Sequence, residues 1–259
     1  MSKATKIPEV KEYEIAEDLS QVKRPETEER VQSFFSSVAK RYDIANTFMS
    51  FGQHYLWKKL AAKVVEPKEG KVGIDVCAGT DDIAILLARK VGKAGKVYAL
   101  DFNKEMQDVG KFKCEKHGLT DIIEHVHGDA EQLPFDDNSL DFLTIGTAAR
   151  HLRIPNALAE WLRVLKPGGK MACLEFYAPP NKIWRAMYNW YSYRVMPKVG
   201  RIVSGDKTGV YNYLPDSIRV FYTEERLKEL MQEAGFDDCQ YARRSGGIAC
   251  VHWGTKPQK

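Results

Sequence analysis

Two stretches of this 259-residue chain have residue types and spacing that could do chemistry. The first is VGIDVCAGTDD, residues 72–82: an apolar run, a turn at Gly79 and the start of a helical pattern. Backbone N–H groups and a helix N-terminus converge at such a junction, where a carboxylate or phosphate is stabilised. The second is Asp101, which closes the next apolar run, KVYALD, 22 residues beyond Gly79. An acid roughly 20 residues past a strand–turn–helix is placed to accept hydrogen bonds from ribose hydroxyls. The chemistry is therefore nucleoside binding. It is not the dinucleotide fingerprint, because Cys77, Ala78, Asp81 and Asp82 do not supply the glycines of a G-x-G-x-x-G run, and two acids would repel a pyrophosphate. The plain alternative is an ordinary strand–helix turn in which Gly79 serves only its backbone freedom.

The elements that must position these residues follow from periodicity. After the strand that opens at Val72, the pattern predicts a helix over 83–90, a strand over 96–101 and a helix over 104–117 closed by Gly118. Strands over 123–129 and 140–146 come next, then a helix over 154–165 ended by the KPGG breaker and a strand over 171–176. A helix from the N-cap Thr223 to Ala234 ends at Gly235, and runs over 239–243 and 248–255, joined by SGG, predict an antiparallel hairpin at a sheet edge. The alternation gives an α/β fold, a Rossmann-like doubly wound sheet that is mostly parallel. Ligands in such sheets sit beyond the carboxyl ends of the strands, which here carry Gly79, Asp101, Asp129, residues 146–150 and Glu175.

The flanks are of another kind. Residues 1–30 are rich in charge and proline and read as a flexible segment. One domain is expected over 31–259, opening with a helical cap at 31–66. There Phe34, Phe35, Val38, Tyr42, Phe48, Met49, Leu56, Trp57 and Leu60 fall at helical spacings, in two or three helices broken near Asn46 and Gly52. The core spans 72–176, an aromatic and basic helical insertion 177–222, and the last helix and hairpin 223–259. In the insertion Trp184, Met187, Tyr188, Tyr191 and Val195 share a helical face. These aromatic faces either pack on the core or wall a pocket for a large apolar substrate, with Arg185, Arg194 and Lys198 turned toward water or lipid headgroups.

Composition narrows the classes. At 44% hydrophobic, 29% charged and a net charge of +4 with both signs interspersed, the chain is globular and gives no indication of nucleic-acid binding. Its five cysteines lack C-x-x-C spacing, so neither a disulfide framework nor a metal site is expected, and the compartment reads as reducing. No apolar leader and no bilayer-length run is present, so a cytoplasmic protein, soluble or peripherally membrane-associated, is expected. The aromatic insertion would suit a homodimer interface as readily as a membrane surface.

The chain resembles the class I S-adenosylmethionine-dependent methyltransferases and, within them, the ubiquinone/menaquinone biosynthesis C-methyltransferases. The likeness runs from about Val31 to Lys256 through FFSSVAKRYDIANTFMSFGQHYLWKK, IDVCAGT, ALDFNKEM, GDAEQLPFDDNSLD, RVLKPGGKMACLEF, YSYRVMPKVG, YNYLPDSIRVF and MQEAGFDD. It implies S-adenosylmethionine as cofactor, with its methionine part at Gly79 and Thr80, the ribose on Asp101, Met106 flanking the adenine, and the adenine edge at Asp129 and Ala130. Asp81, in the same turn, and Gly146, at the end of the fourth predicted strand, are further cofactor-binding candidates by position. The implied reaction is methylation of a ring carbon of a prenylated quinol, with Tyr42, Arg150 and His151 as catalytic candidates and Tyr211 and Arg219 on the substrate. His151 has the natural pKa of a base.

Two departures from the family fall at this site. The family's G-T-G-D turn is here Gly79, Thr80, Asp81, Asp82, and its S-F-G-[ILV]-R-N-V segment is here residues 146–152, GTAARHL. If position 81 needs φ > 0, aspartate there costs about 1 kcal/mol or more, and its charge would repel the cofactor carboxylate. Three readings stay open: a quinol C-methyltransferase; the same fold with changed chemistry or acceptor, Asp81 contacting the cofactor ammonium or a metal; and a non-catalytic homologue.

Overall fold

The computed structural model describes residues 28–258. Its helices are α1 (Glu28–Val38), α2 (Tyr42–Met49), α3 (His54–Val64), α4 (Asp82–Val91), α5 (Lys104–Lys116), α6 (Ile154–Val164), α7 (Lys182–Trp190), α8 (Met196–Ser204), α9 (Val210–Arg219) and α10 (Glu224–Glu233). Its strands are β1 (Val72–Val76), β2 (Lys96–Asp101), β3 (Ile123–His127), β4 (Leu140–Gly146), β5 (Leu165–Phe176), β6 (Asp237–Arg244) and β7 (Ala249–Thr255). They form one sheet in the order β3-β2-β1-β4-β5-β7-β6. β1 to β5 pair in parallel, and β7 runs antiparallel to both β5 and β6.

The chain winds outward from β1 to β3, then crosses back to lay β4 on the other side of β1. The winding reverses between β1 and β4, and a crevice opens there at the strands' carboxyl ends. The apolar strands are buried on both faces: α3 and α4 pack on one through Ala62, Ala84, Leu87 and Ala88, and α6 and α10 on the other through Leu158, Trp161, Leu230 and Met231. Trp161 donates its indole N–H to the Ala130 carbonyl at 3.0 Å, so even this buried ring is satisfied.

Several expectations need correction. The cap does not break near Asn46. α2 runs through it, and Ser50 closes the helix by bonding the Asn46 carbonyl with both its N–H and its hydroxyl. The interruptions are a 3₁₀ turn at Ala39–Arg41 and the turn around Gly52, where φ is +73°. The helix before KPGG ends as expected, at Val164, but KPGG is no loop before the strand: β5 starts at Leu165 and takes it in, with a register slip between Leu140↔Leu165 and Phe142↔Lys170. β3 stops at His127, leaving Asp129 in the following turn. The flexible segment over 1–30 lies outside the described residues apart from 28–30, which begin α1. The insertion is helical, with a π-helical turn at Tyr191–Val195 joining α7 to α8.

Candidate active site

A cleft of 1680 Å³ lies at the switch point, and Gly79, Thr80, Asp101, Met106, Asp129, Ala130 and Gly146 all line it. Gly79 sits at φ +58°, and a Cβ there would stand 3.2 Å from the Met106 methyl, so the turn lies close against α5. Asp101 accepts the Gly79 N–H through Oδ2 and the Asn103 N–H through Oδ1, each at 2.8 Å. Burial raises its pKa, and these bonds oppose the rise. Asn103 caps α5 by accepting the Met106 N–H at 3.0 Å, and its amide donates to Ser36 of α1 at 2.9 Å.

The cap reaches the turn as well. The Thr80 hydroxyl donates to Asp43 Oδ1 at 2.6 Å, and Lys113 donates to Asp43 Oδ2 at 2.6 Å. Asp82 takes Lys58 at 2.7 Å and Lys113 at 2.6 Å. Burial works to raise the Asp82 pKa, but the two lysines outweigh it and hold the carboxyl at about 2. The acids on this side of the cleft are therefore matched by cations.

Asp81 is where sequence reasoning and structure part. Its backbone does adopt φ +65°, but it is fully buried and does not line the cleft. The carboxylate turns under the turn, with Oδ2 2.5 Å from His125 Nε2 and accepting the Cys114 thiol at 3.2 Å. It occupies space that α5 leaves at Gly110, where a Cβ would stand 2.4 Å from the same oxygen. The assignment of Asp81 to the cofactor is thus corrected: its charge faces the interior among α4, α5 and β3. Its partners lie 33 and 44 residues away, too far for spacing to reveal.

Asp75 is a lining residue that sequence reasoning missed. Its Oδ1 accepts the Thr144 hydroxyl at 2.6 Å and Oδ2 the Ala84 N–H at 3.1 Å, while burial pushes its pKa up to about 7 against those bonds. The available signal was an acid inside an otherwise apolar strand, VGIDV.

A second cavity of 700 Å³ adjoins the first and is walled by Met49, Trp57, Phe176, Met187 and Tyr191 among others. Phe35, Tyr42, Lys58, Thr147, Arg150 and Tyr213 line both spaces. Tyr42 is thus at the junction, and Tyr211 lies within the apolar cavity. Arg219 lines neither space; its guanidinium stands 4.8 Å from the Tyr193 ring centre, a cation–π contact that replaces the substrate contact expected of it.

The segment after β4 carries the rest. Arg150 and Glu175 form a buried pair at 2.6 Å, and Arg150 also donates to the Thr147 carbonyl at 2.5 Å and Ser217 Oγ at 3.1 Å. These bonds hold Thr147 at φ +58°, a conformation that a β-branched residue resists. His151 lines the cleft, its Nδ1 3.0 Å from the Tyr213 hydroxyl, with the Tyr213 ring stacked on it at 23° and Phe35 edge-on at 5.9 Å. Lys58 and Tyr213 were not singled out from sequence; Tyr213 follows Tyr211 by two positions in YNYLPDSIRVF.

A seven-stranded sheet of this topology, with an open cleft at its switch point, defines a Rossmann-like methyltransferase fold. A SAM-dependent methyltransferase from Aquifex aeolicus shares it, with a TM-score of 0.54 at 21% identity over 76% of this chain and 88% of that one. The profile of the ubiE/COQ5 methyltransferase family matches residues 23–256. The ubiquinone/menaquinone biosynthesis C-methyltransferase UbiE of Legionella pneumophila (strain Corby) is 40% identical over 228 residues, 88% of this chain and 91% of the relative. Its counterpart in Idiomarina loihiensis is 38% identical over 236 residues, 91% and 94% of the two. This chain belongs to the ubiE/COQ5 methyltransferase family.

Proposed function

We propose that this enzyme transfers the methyl group of S-adenosylmethionine to a ring carbon of a prenylated quinol, the ring lying where the two cavities meet. The observation that carries the reading is that meeting: a cleft that mixes polar and apolar walls and a nearly all-apolar cavity share Phe35, Tyr42, Thr147 and Arg150. The cleft residues fit the cofactor. Asp101 presents a carboxylate where a sugar would sit, which favours a nucleoside without phosphate, and Gly79 leaves room for close backbone approach. Gly79 and Thr80 would hold the methionine part, Asp101 the ribose, and Met106, Asp129 and Ala130 the adenine. Bound there, the sulfonium supplies an electrophilic methyl group.

The chain's own residues do the remainder. A quinol hydroxyl that gives up its proton pushes electron density onto the neighbouring carbon. Tyr213, on the shared wall, is placed to receive that proton at its oxygen while passing its own to His151 Nδ1, 3.0 Å away. Arg150, held by Glu175 and Thr147, fixes the loop on which His151 sits. Phe35 and Tyr42 put aromatic rings at the junction, and the apolar lining beyond excludes water and takes the prenyl tail. Exposed Phe51, Met187 and Trp190 line the apolar cavity, and Arg201 on α8 and Lys182 on α7 supply positive charge to the insertion. This arrangement supports peripheral docking on an anionic membrane that holds the substrate. Among the described residues no helix is long and apolar enough to cross a membrane.

Mass spectrometry of a demethylated, prenylated quinol incubated with enzyme and cofactor tests the reading, which expects a gain of one methyl on carbon. Tight cofactor binding with no methylated quinol would move the assignment to another acceptor.

A further inference from the structure

Beneath the cofactor turn, side chains from three separate elements converge on one dry point. Asp81 Oδ2, Cys114 Sγ and His125 Nε2 all lie within 4.8 Å of one another. Asp81 is fully buried, and its second oxygen, Oδ1, has no hydrogen-bond partner among the described residues. A buried carboxylate oxygen without a partner is destabilising, and a cation is the ligand that relieves it. Gly110 supports the arrangement: in mid-helix, where glycine costs about 1 kcal/mol relative to alanine, it leaves the space that the Asp81 carboxylate fills.

We propose that Asp81, Cys114 and His125 form a structural metal site for a zinc-like divalent ion, outside the methyl-transfer cleft. The donors are one oxygen, one sulfur and one imidazole nitrogen, a set that suits zinc. At metal–ligand distances of about 2.0–2.3 Å, ligand atoms in a tetrahedral site stand roughly 3.3–3.6 Å apart. The Oδ2–Sγ pair, at 3.2 Å, is nearly there, and the Oδ2–Nε2 pair at 2.5 Å opens by about 1 Å on binding. Metal binding displaces the thiol proton to solvent and forms the sulfur–metal bond, while the proton between His125 Nε2 and Asp81 Oδ2 also leaves for solvent, so that His125 binds through Nε2 with its remaining proton on Nδ1. Thiolate and carboxylate then cancel the charge of the ion. Burial and the Asp81 charge push the Cys114 thiol pKa up, so it is the ion that makes the thiolate accessible. The site ties the start of α4 to α5 and β3, and Asp81 Oδ1 or a water completes the coordination.

The test uses the full chain, purified, stripped with chelator and reloaded with zinc or cobalt. One equivalent of zinc by elemental analysis, and a thiolate-to-cobalt charge-transfer absorption, are expected. Cys114→Ser abolishes that absorption, and His125→Gln weakens cobalt binding by more than the roughly 10- to 100-fold that loss of an outer-shell partner costs. Asp81→Gly, where glycine accepts the same φ, also loses the metal while its circular dichroism stays that of the wild type. A stripped wild-type chain that stays folded by circular dichroism yet takes up no zinc and gives no charge-transfer band overturns the site. So does a band that survives in Cys114→Ser.

Discussion

The turns that follow β1 and β4 line opposite sides of one crevice and hold non-glycine residues in the left-handed region: cleft-lining Cys77 at φ +52° and Asp81 at +65° in the first, Thr147 at +58° in the second. Both also depart from the pattern of the family. Their side chains nonetheless serve different ends. Asp81 turns into the interior, against His125, Cys114 and the space at Gly110. The second turn sends its changed residues outward, so that Thr147 and His151 both line the cleft. Backbone strain marks a place that surrounding structure holds firmly. The side chain's direction then tells whether the strain serves the scaffold or the reaction.

The largest effect that would break this contrast is expected at Arg150. Arg150→Met strands the Glu175 charge in a dry site and releases Thr147, so denaturant unfolding is expected to show a loss of about 3–5 kcal/mol. A loss below 1 kcal/mol would mean that the pair does not hold the second turn. Next comes His151→Gln, for which kcat is expected to fall about 100-fold or more with the KM for cofactor little changed. A matched rise in that KM would make His151 a cofactor contact and not a proton acceptor.

A smaller effect is expected from pH, acting behind the first turn. Asp75 has its folded pKa raised to about 7 by burial, so the native chain holds this proton after the unfolded chain has released it. The associated stability is complete below the unfolded pKa and is lost as pH rises through about 7. Melting temperatures at pH 5.5 and 8 should therefore differ less in Asp75→Asn than in wild type; an unchanged difference would assign the effect elsewhere. The smallest effect sharpens the contrast from the other side. Because its carboxylate does not reach the cleft, Asp81→Gly is expected to change cofactor affinity by less than the tenfold that about 1.4 kcal/mol represents. A large gain measured by calorimetry would return Asp81 to the cofactor.

Much of this arrangement was readable in the chain. β2 and β4 fall on their expected residues, and Thr223 caps α10 as its type and place imply, accepting the Arg226 N–H at 3.2 Å. The period of apolar residues is a local property, and a doubly wound sheet follows from the alternation of two such periods. Gly79, Asp101, Met106, Asp129, Ala130 and Gly146 come together because topology sends strand ends to one edge. What stayed hidden depends on direction and distance. Nothing local shows that Asp81 points inward, that Arg219 is taken by Tyr193, or that Lys58 in α3 reaches Asp82. KPGG read as a loop before the strand because its pairing partners, among them Lys256, lie far along the chain.

Tyr42 and Asp43 are neighbours at the start of α2, one on the wall common to both cavities and the other fastened to Thr80 and Lys113. A single peptide bond therefore joins the wall between the two cavities to the anchor of the turn after β1. One short helix thus both walls the apolar space and pins the turn at Thr80.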